Sequence, residues 1–114
     1  MNLTPAFGSA ATLSDETTDR YYDLMLAPGA RDALLARMEQ TVLEDPAPLL
    51  RSIRAATLLV WGEKDALIPV SNADDYLRNL SDAKLVSFPE LGHVPQEEAP
   101  ATSLLPVQSF LFQR

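Results

Sequence analysis

The 114 residues contain no cysteine, a single histidine and only four glycines. Without cysteine there is no disulfide, no thiol nucleophile and no thiolate metal site. With His93 as the lone imidazole, a multi-histidine zinc centre is excluded, and any imidazole chemistry must pass through that residue. Basic residues are scarce as well: nine Lys+Arg against sixteen Asp+Glu leave a formal charge of −7. Such a surface repels phosphate backbones and anionic lipid, so neither a nucleic acid nor a membrane is expected as partner. The longest mainly apolar run, 55–61, is far too short to cross a bilayer. The N-terminus, Met1-Asn2-Leu3-Thr4-Pro5, has no basic start and no apolar stretch, so no secretory signal is expected there. Together with the missing cysteines this suggests a cytoplasmic setting.

What is present reads as ordinary globular composition, 46% hydrophobic and 22% charged, enough for one domain or one piece of a domain. Composition changes once, near Arg54. Before it, helices alternate with prolines. Ser14 caps a helix that begins with Asp15 and Glu16, acids favoured by the N-terminal dipole, and Pro28-Gly29 stops it. A second helix carries Leu34, Leu35, Met38 and Val42 at helical spacing, a stripe expected in the core. Asp45-Pro46-Ala47-Pro48 ends it, and a short helical turn follows around 49–53.

After Arg54 the period changes. Thr57-Leu58-Leu59-Val60-Trp61 is an unbroken apolar run halted by Gly62, the pattern of a strand buried on both faces. A helix over 71–80 turns Ala73, Tyr76, Leu77 and Leu80 to one side, and Lys84-Leu85-Val86-Ser87-Phe88 reads as a second strand. A last helix spans about 100–112, where Pro106 should bend or split it. Strand, helix, strand, helix with short connections predicts a right-handed βαβ unit with parallel strands.

In open α/β sheets, chemistry gathers beyond the carboxyl ends of the strands. Two loops leave those ends. Gly62-Glu63-Lys64-Asp65-Ala66-Leu67-Ile68-Pro69 carries an acid, and Glu90-Leu91-Gly92-His93-Val94-Pro95 carries the histidine. The separation of 28 positions from Asp65 to His93 suits one strand-to-strand crossover. A carboxylate there can accept a hydrogen bond from the imidazole, fix its tautomer and stabilise its protonated form. Alone, Asp65 reads as a turn residue, His93 as a solvated side chain and Gly92 as a permissive backbone position. Glu97 and Glu98 read as acids favoured by the following helix dipole, and Tyr21, Tyr22 and Trp61 as packing aromatics. Only the pair of loops, in order and at strand ends, raises Asp65 and His93 above those plain readings.

These two loops carry a resemblance. Leu58 through Pro69 resembles the penultimate strand and acid loop of the α/β-hydrolase superfamily, and Phe88 through Glu98 resembles its final strand and histidine loop. The resemblance covers 57–112; residues 1–54 resemble the end of the helical cap that many members carry. It implies an α/β fold, the C-terminal portion of an α/β-hydrolase: two parallel strands with crossover helices in 55–114, preceded by a helical cap-like segment in 1–54. It implies Asp65 as the triad acid and His93 as the general base, with no metal or organic cofactor. The family's nucleophile sits on a G-x-S-x-G elbow, and no such string occurs in these residues; the nearest, Phe7-Gly8-Ser9-Ala10, lacks the second glycine. A base and its orienting acid without a nucleophile cannot perform acyl transfer. Two functions follow as expectations. One is a segment of an ester-hydrolysing type of enzyme, inactive alone and taking a small-molecule substrate once completed. The other is a non-catalytic remnant acting as a protein-interaction or small-molecule binding module. Two strands leave a sheet edge open, so self-association through it is also expected.

Overall fold

Why these segments fold as they do is visible in a computed structural model describing residues 2–112; Met1, Gln113 and Arg114, the outermost residues of the two expected segments, lie outside the described residues. Helix α1 (Asp15–Leu26) opens on Ser14, whose Oγ accepts the Thr17 N–H at 3.1 Å, with Asp15 and Glu16 in its first turn. Pro28 and Gly29 end it, and Gly29 takes φ +79°, a left-handed conformation that glycine adopts without a Cβ penalty. Helix α2 (Ala30–Glu39) starts immediately and folds back on α1, and a short α3 (Ala47–Ser52) leads to the sheet.

Strand β1 (Thr57–Gly62) pairs in parallel with β2 (Ala83–Phe88), Thr57 opposite Ala83 and Gly62 opposite Phe88. A 3₁₀ turn at Val70–Asn72 and helix α4 (Ala73–Asn79) form the crossover. Helices α5 (Pro95–Glu98) and α6 (Pro100–Phe112) follow β2, pack on each other and lie against β1. Among the described residues no helix is long and apolar enough to cross a membrane.

Three expectations need correction. The Leu34–Met38 stripe is not core: Leu35 and Met38 are 59% and 65% exposed, and Val42 lies beyond the end of α2. Helix α2 packs on α1, and its apolar stripe stays largely open to solvent. Strand β1 is half-buried rather than buried on both faces, because β2 is its only strand neighbour among the described residues. Helix α6 is not split at Pro106, which sits inside one continuous helix that packs on α5 and β1; proline removes one N–H donor there.

The core is small: among the described residues its buried apolar side chains are Phe7, Ala73, Leu80 and Pro95. The chain exposes 8157 Å², against about 6,200 Å² for a compact protein of this mass. Its radius of gyration, 16.3 Å, likewise exceeds the roughly 13 Å of a compact chain of this length. Large apolar side chains that face solvent include Leu24 on α1, Leu35 on α2, Leu43 in the loop that follows and Phe112 on α6.

Candidate acid–histidine site

Parallel pairing in register sends both loops out at the same end of the sheet, since Gly62 and Phe88 are partners. The loops are then sewn together through their backbones. The Glu63 N–H donates to the Phe88 carbonyl at 2.9 Å and the Lys64 N–H to the Leu91 carbonyl at 2.9 Å. The Lys64 ammonium pairs with the Glu90 carboxylate, and the Ser87 hydroxyl donates to Glu63 at 2.6 Å. The indole N–H of Trp61 donates to the Ile68 carbonyl at 3.0 Å and fixes the far end of the acid loop, while its ring lies 6.1 Å from that of Tyr76.

Asp65 is 8% exposed and every contact it makes suits a carboxylate. Its Oδ1 accepts the Leu67 and Ile68 N–H groups at 2.9 and 2.8 Å, so it is the turn residue the plain reading describes. Its Oδ2 lies 2.8 Å from Nδ1 of His93. Burial alone would push the Asp65 carboxyl up. The Ile68 amide, the His93 ring and the Leu67 amide together outweigh it and hold the group below the ordinary aspartate value. An ionised, acceptor-only Asp65 calls for the proton on Nδ1, which leaves Nε2 as the basic nitrogen. The His93 side chain is about one-third exposed. A cavity of about 170 Å³ lies between Val60, Trp61, Gly62, Ile68 and this pair. A larger hollow of about 640 Å³, between β2 and α6 and lined by Leu85, Val86, Pro106 and Phe110, holds no acid–base pair.

The histidine loop rests on a layer of glycines. A Cβ on Gly62 would fall 2.0 Å from the Gly92 carbonyl oxygen, and one on Gly92 would fall 2.5 Å from the Gly8 nitrogen. Gly92 therefore serves close backbone approach and not a special angle, because Gly29 is the glycine with positive φ. Residues 6–8 lie across the loop as a strap: the His93 N–H donates to the Ala6 carbonyl at 2.8 Å, and Phe7 is buried.

Two acids do more than their sequence context suggests. Glu97 accepts from the Tyr21 hydroxyl at 2.6 Å and from Arg20 at 2.7 Å, joining α1 to α5. That hydrogen bond, burial and the Glu97 charge raise the Tyr21 phenol above its ordinary value. Glu98 accepts from the Gly8 N–H at 2.7 Å and the Gly92 N–H at 2.6 Å. A pair of acids before a helix satisfies a dipole argument, so no local signal marks partners as distant as Gly8. Several serine hydroxyls serve local structure. Ser9 Oγ accepts from the Ala11 N–H at 3.2 Å, and Ser103 donates to the Pro100 carbonyl at 3.4 Å. Among the described residues, no three His, Asp or Glu side chains converge as a metal site.

No family model matches the chain. A 2-hydroxy-6-oxo-6-phenylhexa-2,4-dienoate hydrolase from Burkholderia cepacia is 39% identical over 54 residues, 47% of this chain and 19% of the relative. Lipase 1 of Psychrobacter immobilis is 31% identical over 65 residues, 54% of this chain and 20% of the lipase. The chain thus spans about a fifth of the length of the curated relatives it matches. Among solved structures, a serine hydrolase involved in carbazole degradation superposes with a TM-score of 0.78 at 26% identity, covering 90% of this chain and 41% of that one. A bacterial membrane phospholipase A superposes with a TM-score of 0.75 at 27% identity, covering 96% and 35%. The homologues and structural neighbours are hydrolases of the α/β-hydrolase superfamily, and the chain shares their α/β fold, helices with two parallel strands in one sheet.

Proposed function

We propose that this chain supplies the acid and the histidine of an α/β-hydrolase-type catalytic triad, Asp65 as orienting acid and His93 as general base. The observation that carries this reading is the 2.8 Å contact between His93 Nδ1 and Asp65 Oδ2 at the carboxyl ends of paired parallel strands. Asp65 holds the Nδ1–H tautomer, so Nε2 is free to take a proton from a nucleophile and later return it to the leaving group. When Nε2 gains that proton, the Asp65 carboxylate stabilises the imidazolium. The chemistry is hydrolysis of an ester or related bond in a small molecule, a range in keeping with relatives named as a dienoate hydrolase and a lipase. The nucleophile and its elbow come from outside these residues, so the chain alone is inactive. Residues 1–54 act as a cap-like segment beside the core in 55–114. The open edge of β1 is where the remainder of the sheet, or a second copy, adds.

The alternative is a non-catalytic remnant that binds a protein or a small molecule; the exposed apolar stripe of α2 favours it. One experiment separates the two. The chain is fused behind a segment bearing a G-x-S-x-G elbow and its preceding strands, taken from a structurally similar hydrolase, and assayed on an aryl ester. The triad reading expects turnover that falls by on the order of 10⁶ in His93→Ala and by on the order of 10⁴ in Asp65→Asn. A folded fusion without turnover, or turnover indifferent to His93→Ala, contradicts it.

A further inference from the structure

The strap of residues 6–8 and the histidine loop share one fastening, the Glu98 carboxylate. Its two oxygens take two separate backbone donors, Gly8 N–H at 2.7 Å and Gly92 N–H at 2.6 Å. Glu98 lies at the end of α5, which packs on α6 and β1, so its anchor is the sheet side of the molecule. Its targets bracket the backbone of His93. Gly92 precedes the histidine, and the strap that Gly8 ends accepts the His93 N–H through Ala6 at 2.8 Å. Both donors sit where a Cβ would collide with backbone, so the two peptide planes are in contact and the space for another acceptor is small.

We infer that Glu98 is a positioning residue for His93, acting through the amides of Gly8 and Gly92 to aim the imidazole at Asp65. Turning the Gly92–His93 peptide swings the Cα–Cβ bond of His93, and the Nδ1 contact to Asp65 depends on that direction. A carboxylate is suited to the task because it offers acceptors only, one for each amide. Glutamine offers one acceptor and one NH₂, which confronts an N–H with an N–H. The catalytic part of this inference rests on the proposed role of His93; the geometric part is measurable without any activity.

The experiment uses the full chain labelled with ¹⁵N, in wild type, Glu98→Gln and Asp65→Asn. Wild type is expected to give one His93 tautomer, Nδ1 protonated and Nε2 bare, with the Gly8 and Gly92 amides protected from exchange. In Glu98→Gln the two ring nitrogens should move toward averaged shifts. Both glycine amides should lose protection by about tenfold or more, while amides of β1 and β2 keep theirs. A Glu98→Gln ring identical to wild type, with only a lower melting temperature, overturns the inference and leaves Glu98 as a brace. A ring that ignores Asp65→Asn defeats the acid–histidine pairing itself and the positioning role with it. A ring that answers Asp65→Asn but not Glu98→Gln defeats the positioning role alone. Should Glu98→Gln fail to fold, Glu98→Asp decides, its carboxylate one methylene too short to hold both amides: a ring with wild-type shifts overturns the inference, and a ring moved toward averaged shifts upholds it.

Discussion

The two ends of this molecule are held together by different means. At the carboxyl ends of the strands, 62–65 and 91–93 are joined by backbone hydrogen bonds, glycine-to-backbone contacts and a carboxylate that accepts from two amides and one imidazole. Along α1 and α2 the chain instead presents leucines and a methionine to solvent, and its main ties to the rest are the side chains of Arg20 and Tyr21 on Glu97. Short-range polar geometry is satisfied within the chain, whereas an apolar stripe is satisfied only when something covers it. A site can therefore be preassembled in a structure whose helices still lack a cover.

That contrast makes unequal substitutions the way to break it. The largest effect is expected for Gly92→Ala, whose Cβ would press on Gly8 N at 2.5 Å and on the Phe7 carbonyl carbon at 2.6 Å. Overpacking of this kind against backbone should cost about 3 kcal/mol or more in denaturant unfolding. Next, Leu80→Ala removes a side chain that is 8% exposed and should cost about 2–3 kcal/mol. Leu35→Ala on α2, at 59% exposure, should stay within about 0.5 kcal/mol. Equal losses at Leu80 and Leu35 would mean that α2 is covered in solution, by a second copy or otherwise.

Two smaller effects are read from pH. Asp65 has its folded-state pKa depressed below 3.8, so its contribution to stability is present above that value and is lost as pH falls through the folded one. Thermal melts should therefore lose midpoint on the acid side of pH 4, and Asp65→Asn should flatten that limb. Tyr21 has its folded pKa raised above 10.0, so its contribution is complete below pH 10 and fades as pH rises through the folded value. Tyr21→Phe should remove this alkaline limb, a slight change confined to the α1–α5 junction. An alkaline limb that persists in Tyr21→Phe would place the titration elsewhere.

Much of this architecture is legible in the sequence. Ser14, Pro28 and Gly29 mark the limits of α1, and the switch from helical spacing to an unbroken apolar run marks β1. Asp65 and His93 are legible because two loops at strand ends follow in the right order. What could not be read is the set of contacts that depend on distant chain. The apolar spacing of α2 says which side chains align but not whether anything faces them. Glu98 looks like a helix-dipole acid until residue 8 folds onto it, and Gly92 looks like a turn glycine until a second backbone is laid against it. The local penalty of Pro106 is real, yet α6, packed on α5 and β1, runs on through it.

The central claim, that Asp65 holds His93 in a single tautomer, is tested most directly by the ring nitrogens of His93. Long-range ¹H–¹⁵N spectra of the isolated chain above pH 7 should show Nδ1 protonated, with a hydrogen-bonded, slowly exchanging proton, and Nε2 bare. That pattern should collapse to averaged shifts in Asp65→Asn. Averaged tautomers in the wild-type chain, unchanged by Asp65→Asn, would contradict the account.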